Sequence, residues 1–394
     1  MQDHVPNMKD HNKPKLAFYA PMKSPDSPRP SGDRTIGALL VKALTAAGFE
    51  VEIASDFRSW EGRGDSRAQE KIRIRGEKTA SDLVNGYRAD CPRNRPAAWF
   101  SYHLYHKSPD WIGPAVSREL DIPYFCAEAS VSTRQMDGPW GAGFTASIEA
   151  IRLARKIFNL NPRDLPALSA VDGVRDRIVP LLPFLDAETP DPASRNVRRQ
   201  RLASRLRIDS DRYWLLCVAM MRDDAKLASY AQLARVSERM QRKDWMLLIV
   251  GDGAAELQVR DYFRLDKDLQ IHFLGRRDSE FVLQLMSVSD LLVWPAINEA
   301  IGMTALEALA MGLPAVCGRS GGIGQIIHHG HTGLLVDDPE TPDSVDLFAE
   351  SIESLLGCPG RLAKMSSESN RRFEQFHRIS TAARTLRDHM LPFI

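Results

Sequence analysis

Residues 291–317 read LLVWPAINEAIGMTALEALAMGLPAVC and contain a strand, a turn, a helix and a second strand in succession. Residues 291–294 form a short continuous apolar run, which predicts a buried strand, and residues 314–317 predict another. Between them, residues 303–311 are mostly strong helix formers. Two strands joined by a helix lie parallel in a sheet whose faces are covered by helices. This stretch therefore predicts an α/β fold.

The same alternation continues on both sides of this stretch. In the second half of the chain, strands are also predicted at 213–220, 245–250, 271–274 and 333–336, and helices at 227–241, 253–264, 279–287 and 344–356. In the first half, strands are predicted at 15–20, 49–54, 97–102, 122–127 and 156–159, and helices at 33–47 and from Asn161-Pro162 onward. A proline-rich segment at 179–194 predicts a linker. The sequence thus predicts two doubly wound, Rossmann-like domains of parallel sheet.

The composition is that of a globular protein, since 43% of the 394 residues are hydrophobic and the net charge is +1. Such a balance of charge provides no overall field for nucleic acid, and we expect no nucleic-acid partner. The first fifteen residues lack the apolar core of a secretory signal. The longest apolar run, 214–221, has eight residues, against the roughly 20 of a membrane-spanning helix. Five scattered cysteines form no zinc-ligand pair and indicate a reducing compartment, so we expect a cytoplasmic protein.

An arginine-rich segment follows the predicted linker, with six arginines from Arg195 to Arg207 and an apolar edge formed by Leu202 and Leu206. This pattern favours a solvated amphipathic helix. The alternative is a contact with an anionic acceptor or with the inner face of the membrane, which would make the protein peripheral to the membrane.

The turn at 295–302 and the helix after it carry two glutamates, Glu299 and Glu307. Ligands of open α/β sheets bind beyond the carboxyl ends of the strands, so this turn is a candidate binding site. The first amides of a helix have no intrahelical partner and can bind a phosphate. The candidate amides are those of Ile301, Gly302, Met303 and Thr304. Carboxylates accept hydrogen bonds from a vicinal diol, so the glutamates fit a ribose or a hexose; the alternative is two solvated acids at the start of a helix.

The spacing of Glu299 and Glu307 resembles the Glu-x7-Glu signature of the retaining group 1 (family 4) glycosyltransferases, which have the GT-B fold. Other segments resemble motifs of that family in the same order along the chain. They are Arg222 and Lys226 after the first strand of the second half, VGDG at 250–253, FLG at 273–275, GLPAV at 312–316, Gly321-Gly322 and GLLV at 333–336. The resemblance covers residues 214–336 and rests on the order and spacing of these motifs.

The resemblance implies two Rossmann-like domains that face a central cleft. These are an acceptor domain at 1–180, a nucleotide-sugar domain at 181–370, and a C-terminal helix at 371–394 that crosses back to the first domain. It implies transfer of a hexosyl group from a nucleotide-diphosphate sugar to an acceptor hydroxyl, with retention of configuration and with no metal or other cofactor. The acceptor stays open among a lipid-linked glycan, a polysaccharide and a small metabolite. No residue stands out as a covalent nucleophile, which favours front-face attack through an oxocarbenium-like state.

The same resemblance implies roles for the residues of the second half. Glu307 would bind the ribose of the donor, Glu299 would contact the donor hexose, and Gly251 would lie at the donor as well. Arg222 and Lys226 would hold the diphosphate. Cations aimed at a leaving diphosphate stabilise the transition state more than the ground state, because negative charge builds up on the leaving group.

The two cations also have a plainer interpretation, which is surface ion pairing with Asp223 and Asp224. The family usually has one more residue between the two cations and a glycine after the lysine, whereas this chain has Leu227 at that position.

The first half of the chain resembles the family less closely. The loop before the helix at 33–47 contains one glycine, Gly32, where the family has a glycine-rich loop. The amides of Gly32 and Asp33 would face the diphosphate or the sugar; the alternative is an N-cap role for Ser31 or Asp33. His103 matches a histidine that lies near the reacting sugar in the family, and its alternative is a structural role.

Glu128, after the fourth predicted strand, is a weaker candidate for the cleft. His328, His329 and His331 lie too close together in sequence for metal spacing and predict a polar loop. Two other functions stay open. A non-hydrolysing nucleotide-sugar epimerase would convert the donor without an acceptor, and a non-catalytic nucleotide-sugar-binding protein would bind the donor without turnover. A dinucleotide oxidoreductase is disfavoured because residues 20–37 lack the Gly-x-Gly-x-x-Gly pattern.

Overall fold

The computed structural model describes residues 13–28, 31–264 and 270–394. The chain forms two compact units. Unit 1 contains the described residues up to Leu181 together with Ile379–Ile394, and unit 2 contains Leu182–Arg378. The boundaries expected from the sequence were at residues 180 and 370.

Unit 1 is built on a six-stranded sheet. Its strands are β1 (Lys15–Tyr19), β2 (Glu50–Ser55), β3 (Ala98–Leu104), β4 (Tyr124–Ala129), β5 (Lys156–Asn159) and β6 (Ile178–Pro180). Its helices up to residue 181 are α1 (Gly32–Ala46), α2 (Ser66–Ala89), α3 (Gly113–Leu120), α4 (Gly141–Leu153) and α5 (Leu165–Ser169). All neighbouring strands are parallel, in the order β2-β1-β3-β4-β5-β6. The strand order reverses between β1 and β3, so ligands of this sheet are expected beyond the carboxyl ends of these two strands.

Unit 2 has a second six-stranded parallel sheet, in the order β12-β11-β10-β7-β8-β9. Its strands are β7 (Tyr213–Val218), β8 (Trp245–Val250), β9 (Ile271–Gly275), β10 (Leu291–Trp294), β11 (Ala315–Gly318) and β12 (Gly333–Val336). Its helices are α6 (Arg195–Leu206), α7 (Ala225–Arg239), α8 (Glu256–Tyr262), α9 (Ser279–Met286), α10 (Met303–Ala310), α11 (Ile323–Ile326), α12 (Ser344–Leu356) and α13 (Pro359–Arg372). The strand order reverses between β7 and β10. The two parallel sheets confirm the predicted α/β fold class.

Most strands are buried, whereas β2 and β9 at the ends of their sheets are partly exposed. Every residue of β8, WMLLIV, is buried, as are all residues of β10 and β11. A continuous apolar run is the pattern of a strand that is covered on both faces. The turns that carry the candidate site residues follow the carboxyl ends of these buried strands.

The arginine-rich segment forms α6 as predicted, but it is not simply a solvated helix. Arg199 is buried and donates hydrogen bonds to the carbonyl oxygens of Ser210, Arg212 and Val288. Its guanidinium also pairs with Asp290, at 3.0 Å. The helix is therefore attached to the sheet through its cations, in addition to its leucines.

The chain returns to unit 1 through α14 (Ile379–Met390) after a π-helical turn at Phe373–His377. Four residues of α14 are buried: Ala382, Ala383, Leu386 and Met390. The helix packs against α1. Among the helices that the structure describes, none is long and apolar enough to cross a membrane.

Candidate functional site

The turn between β10 and α10 has a backbone that non-glycine residues rarely adopt. Ala296 and Asn298 both have positive φ, at 56° and 51°, and such conformations persist only where the surroundings hold them. The N–H of Glu299 donates a hydrogen bond to Ser320 Oγ, at 3.0 Å. At Gly321, where φ is +50°, a Cβ atom would lie 2.1 Å from the carbonyl oxygen of Glu299. The loop after β11 can therefore lie directly against this turn and fix the position of Glu299.

Lys226 and Glu299 meet at the point where the strand order of unit 2 reverses. Lys226 lies in the first turn of α7, after β7, and its Nζ forms an ion pair with Glu299 Oε2. Trp294 Nε1 lies 3.4 Å from the same carboxylate oxygen, and the Lys226 ammonium lies 5.5 Å from the centre of a Trp294 ring. A cation at the start of a helix is opposed by the helix dipole, so the Glu299 carboxylate compensates for its position.

Glu307 lies about one turn into α10, and burial raises the pKa of its carboxyl group to about 7. Within the described part of the chain, this carboxyl group forms no hydrogen bond or ion pair. The residue is half-buried, so a ligand can reach this unpaired carboxyl group. Glu307 is therefore the acid of this region that is best placed to accept hydrogen bonds from a ligand.

The N-terminus of α10 begins at Gly302, whose φ of +87° is left-handed and whose missing Cβ would lie 2.3 Å from Ile323 Cδ1. The first bond within the helix runs from the N–H of Leu306 to the carbonyl oxygen of Gly302. The amides of Met303 and Thr304 precede it and have no acceptor inside the helix. The Thr304 hydroxyl donates to the carbonyl oxygen of Val218, at 3.2 Å, which ties α10 to the end of β7.

The remaining predicted residues of unit 2 form no hydrogen bond or ion pair with Lys226 or Glu299 in the described structure. Arg222 is more than half exposed, and its Nε lies 3.5 Å from Asp224 Oδ2, which is the plainer interpretation of its charge. No hydrogen bond or ion pair joins Arg222 to Lys226, Glu299 or Glu307 in the residues that the structure describes. Ile301 is buried. The amide of Gly251, in the turn after β8, donates to the carbonyl oxygen of Gly275, at 3.1 Å.

In unit 1, His103 and Asp33 meet at the corresponding reversal of strand order. His103 is on β3 and has a positive φ of 64°, and its Nδ1 lies 2.6 Å from Asp33 Oδ1 in the first turn of α1. Ser31 is the N-cap of this helix, since its side chain accepts a hydrogen bond from the N–H of Arg34. Asp33 therefore does not have the N-cap role, and its carboxylate is bonded to the imidazole. Gly32 is the first residue of α1.

Two further acids, Glu128 and Asp164, lie close enough to His103 for their charges to act on it. Burial alone would lower the pKa of His103, but the hydrogen bond to Asp33 and the charges of Asp33, Glu128 and Asp164 together raise it. We call these four residues the His103 cluster. They come from the start of α1, from β3, from β4 and from the turn after β5. The sequence analysis did not identify Asp164.

Glu128 has the same unusual backbone as His103, with a φ of 56°. Burial raises the pKa of its carboxyl group, the charge of His103 opposes this, and the charges of Asp164 and Asp33 add to it, which gives a pKa of about 7. Its Oε1 is buried and has no hydrogen-bond partner among the described residues. Strained backbone and an unpaired buried carboxylate oxygen together are typical of a binding site rather than of a packing position.

The three histidines at 328–331 form a polar loop, as predicted. The rings of His328 and His331 stack with their centres 4.3 Å apart, and His329 Nδ1 accepts a hydrogen bond from the N–H of Leu335. In the ranges that the structure covers, no three His, Cys, Asp or Glu side chains form a group that could hold a metal ion.

Known proteins resemble the chain in sequence and in structure. Residues 199–372, which include every strand of the second sheet, match the model of the family described as "Glycosyl transferases group 1". A D-inositol 3-phosphate glycosyltransferase of Rhodococcus jostii (strain RHA1) is 35% identical over 113 residues, which are 29% of this chain and 24% of that protein. The protein of the same name from Pseudarthrobacter chlorophenolicus is 29% identical over 242 residues, 60% of this chain and 55% of that protein. The chain therefore spans about a quarter to about half of these curated relatives.

The structural likeness extends over nearly the whole chain. The structure of Anabaena Alr3699/HepE in complex with UDP matches with a TM-score of 0.69 and 16% identity, and the match covers 96% of this chain and all of that one. The same protein has also been solved with UDP-glucose. At this identity the likeness shows the fold, so the predicted GT-B fold class is confirmed. Fold, motifs and family match agree: residues 199–372 are similar to the group 1 glycosyltransferases, and the fold is that of their GT-B structural neighbours.

Proposed function

We propose that this chain is a retaining glycosyltransferase that moves a hexosyl group from a nucleotide-diphosphate sugar to an acceptor hydroxyl without a metal ion. The donor would bind at the carboxyl ends of β7 and β10 in unit 2. The acceptor would bind in unit 1 at the His103 cluster. Retention and front-face attack, with the leaving phosphate taking the acceptor proton, follow from the family resemblance.

The observation that carries the proposal is Glu307. Its carboxyl group is half-buried and has no partner in the described residues, at a position one turn into a helix whose first amides also lack acceptors. The two hydroxyls of a ribose would supply the missing hydrogen bonds. The amides at the helix start would then face the adjacent phosphates.

Lys226 supplies the charge that the reaction needs. When the glycosidic bond breaks, negative charge develops on the diphosphate, and a fixed cation stabilises that state more than the ground state. The ion pair with Glu299 and the neighbouring Trp294 ring hold the ammonium in place before the donor binds. Glu299 is then also placed to accept a hydroxyl of the transferred hexose.

The His103 cluster favours an acceptor that donates hydrogen bonds. Three carboxyl groups surround one imidazole, and Glu128 Oε1 has no protein donor among the described residues. A hydroxyl donates to a carboxylate, whereas an anionic group would be repelled. We therefore assign the acceptor hydroxyl to this region.

The first test is donor binding by the purified chain, with UDP-glucose as the first probe because Alr3699/HepE binds it. At pH 8, where the carboxyl group has lost its proton, Glu307→Gln keeps the shape of the side chain and removes the charged acceptor. It should weaken UDP-glucose binding by about 10- to 100-fold, which corresponds to a hydrogen bond to a charged group. The matched control is Glu280→Gln in the first turn of α9, whose carboxylate bonds only to Gln284 in the described structure and should leave the affinity unchanged.

A panel of other nucleotide sugars extends the test if UDP-glucose does not bind. The proposal is wrong if no nucleotide sugar binds, or if Glu307→Gln binds the donor as tightly as the wild type does. Product analysis with the donor alone separates the alternatives, since an epimerase would convert the sugar without an acceptor and a binding protein would leave it intact.

A further inference from the structure

Two arginines of α6 are neutralised within unit 2. Arg195 and Arg199 both form ion pairs with Asp290, at 2.7 and 3.0 Å. Leu202 lies on the same side of the helix, three residues after Arg199, and is buried. These two arginines attach α6 to the sheet, so their charges are compensated and are not available to a partner.

A second group of arginines lies on another side of α6. Arg198, Arg201 and Arg205 follow one another at spacings of three and four residues, which places them in one row along the helix. Arg201 and Arg205 are exposed, and Arg198 is half-buried. Arg198 donates hydrogen bonds to the Asp191 carbonyl oxygen and to the Ser194 hydroxyl. No arginine of this row has an acidic partner among the described residues, so the row keeps its positive charge.

Two other helices show how arginines on a solvated helix are usually accommodated. Arg73 of α2 pairs with Glu70 and Glu77, at 2.6 Å each, and Arg260 of α8 pairs with Glu256, at 2.8 Å. Such pairs between residues three or four apart stabilise a helix in water. The sequence of α6, RNVRRQRLASRL, contains no acid at all. The helix therefore departs from the pattern of a merely solvated one.

The turn after β9 brings a further arginine to the end of this row. The guanidinium carbons of Arg205 and Arg277 lie 5.3 and 5.1 Å from the centre of the same ring, that of the buried Phe281. An aromatic ring attracts a cation but carries no net charge to neutralise it. Two like charges held over one ring repel each other, and an anion beside them would relieve this repulsion. We call Arg198, Arg201, Arg205 and Arg277 the arginine patch.

The surroundings of the patch favour an anionic lipid surface as its partner. Val197, four residues before Arg201 on the same helix, is 63% exposed and adds an apolar contact. Clusters of about four to eight arginines or lysines at an amphipathic helix are typical of segments that bind anionic lipids. Nucleic-acid-binding domains are usually basic as a whole, whereas this chain has a net charge of +1. A local patch of this kind suits the headgroups of a bilayer better than nucleic acid.

We propose that the arginine patch binds the anionic surface of a lipid bilayer, with the guanidinium groups at the headgroup phosphates and the exposed part of Val197 beside them. The helix lies along the bilayer surface and does not enter the hydrocarbon, because it has too few exposed apolar side chains. The proposal does not depend on the proposed function, because no residue assigned to the donor or the acceptor belongs to the patch.

Sedimentation of the purified full chain with lipid vesicles tests the proposal. Vesicles of phosphatidylcholine with about 30% phosphatidylglycerol should bind the chain at about 0.1 M NaCl, and vesicles of phosphatidylcholine alone should not. Salt screens exposed charges, so the affinity should fall at least about tenfold at about 0.5 M NaCl. Equal binding to both kinds of vesicle, or binding that is unchanged at the higher salt concentration, contradicts the proposal.

Removing charges from the patch locates the contact. Each basic residue near an anionic surface contributes about fivefold in affinity, so Arg201→Gln/Arg205→Gln/Arg277→Gln should bind the vesicles about 100-fold more weakly. Arg201→Glu, at an exposed position that makes no contact with Phe281 in the described structure, should weaken binding about 25-fold and keeps the test decisive if the triple variant does not fold. Unchanged vesicle binding by either folded variant overturns the proposal.

The matched control removes the same charge elsewhere in unit 2. Arg235→Gln/Arg361→Gln/Lys364→Gln changes exposed cations of α7 and α13 and should bind the vesicles within about twofold of the wild type. An equal loss in this control would show that net charge, and not the patch, governs binding.

Two competitors separate the bilayer from other anions. Glycerol 3-phosphate at about 10 mM should leave the chain on the vesicles, because a single headgroup lacks the charge density of a surface. A DNA duplex of about 20 base pairs, at an equal concentration of phosphate, should leave most of the chain there as well. Displacement by glycerol 3-phosphate would identify a site for free phosphates, displacement by DNA would identify a nucleic-acid surface, and either result overturns the proposal.

Discussion

The ion pair at the strand-order reversal of unit 2 has the opposite polarity to the pair in unit 1. In unit 2 the helix after the first strand carries the cation, Lys226, and the turn after β10 carries the acid, Glu299. In unit 1 the helix after the first strand carries the acid, Asp33. The base, His103, is on β3, which neighbours that first strand in the sheet. The topology that places the two pairs is similar, so the difference lies in the side chains.

This reversal of polarity divides the chemistry between the units. In unit 2, the Lys226 ammonium is paired with one carboxylate and the first amides of α10 have no acceptor, an arrangement that accepts an anion. In unit 1, three carboxyl groups surround one imidazole, an arrangement that accepts hydrogen-bond donors. We infer that one topology serves a phosphate-bearing donor in unit 2 and a hydroxyl-bearing acceptor in unit 1.

The glutamates of the two regions reach a similar pKa for different reasons. Burial alone raises the pKa of Glu307 to about 7. For Glu128, burial acts first, and neighbouring acids add to it against the opposing charge of His103. The pKa of Glu128 should therefore respond to changes in nearby charges, and that of Glu307 should not.

The largest effect on activity is expected when the charges of the Lys226–Glu299 pair in unit 2 are exchanged. The double variant Lys226→Glu/Glu299→Lys keeps an ion pair but places a carboxylate where the cation was. Glycosyl transfer should fall about 1,000-fold, which is roughly 4 kcal/mol of transition-state stabilisation. Steady-state kinetics, with the nucleotide sugar that binds in the donor test as substrate, measures this loss of transfer.

The control is the same reversal at an exposed pair of the same unit, Arg239 of α7 and Asp346 of α12. It should change neither transfer nor, by more than about 1 kcal/mol, the free energy of unfolding. If the double variant at Lys226 and Glu299 retains transfer within about tenfold, polarity does not define the donor site.

A smaller effect, on stability, is expected from Glu307→Gln. In the folded protein Glu307 keeps its proton up to about pH 7, whereas its ordinary pKa is 4.5. The folded state thus binds more protons at this group between these values, so the contribution of Glu307 to the free energy of unfolding falls as the pH rises from 4.5 to about 7 and then levels off. At pH 8 the variant should be more stable by up to about 3 kcal/mol, with no gain at pH 4.

Urea unfolding at the two pH values measures this difference, and Glu280→Gln again serves as the control. Equal stability of wild type and Glu307→Gln at pH 8 would show that the carboxylate is well solvated and would weaken its assignment to a ligand.

The smallest expected effect tests the charge coupling in unit 1. Asp164→Asn removes one acid beside Glu128 and should lower the pKa of Glu128 by up to about one unit, while leaving that of Glu307 unchanged. Carboxyl ¹³C NMR titration of glutamate-labelled protein measures both. Asp172→Asn, at an exposed position of unit 1, is the matched control. A shift of equal size in the control, or a shift of Glu307, would contradict the proposed difference between the two glutamates.

The buried strands could be predicted from the sequence with their observed bounds. Trp245–Val250, Leu291–Trp294 and Gly333–Val336 are continuous apolar runs, which is the pattern of strands covered on both faces. Helix α2 could not be predicted in the same way. Its 24 residues are mostly polar, and the buried ones are Gly76, Ala80, Val84 and Tyr87, so the apolar stripe is too sparse to see.

Two features of the candidate site, the Lys226–Glu299 pair and the place of Asp164, could not be predicted from the sequence. The sequence placed Lys226 and Glu299 after different strands, but their direct pairing depends on β7 and β10 being neighbours, which the strand pattern alone does not give. Asp164 was not identified as a candidate because the predicted start of the following helix was wrong. We expected a helix from Asn161-Pro162, whereas α5 begins at Leu165, and the turn in between brings Asp164 towards His103.

The return of α14 to unit 1 has a consequence for biosynthesis. Residues 379–394 pack against α1, and Phe393 contacts Phe125 of β4 with ring centres 6.1 Å apart. Domains generally fold as they leave the ribosome, beginning with the N-terminal one. Unit 1, although its sheet is synthesised first, cannot cover α1 until all of unit 2 has been translated. A nascent chain stalled before residue 379 would expose that apolar surface, which makes it a natural target for chaperones.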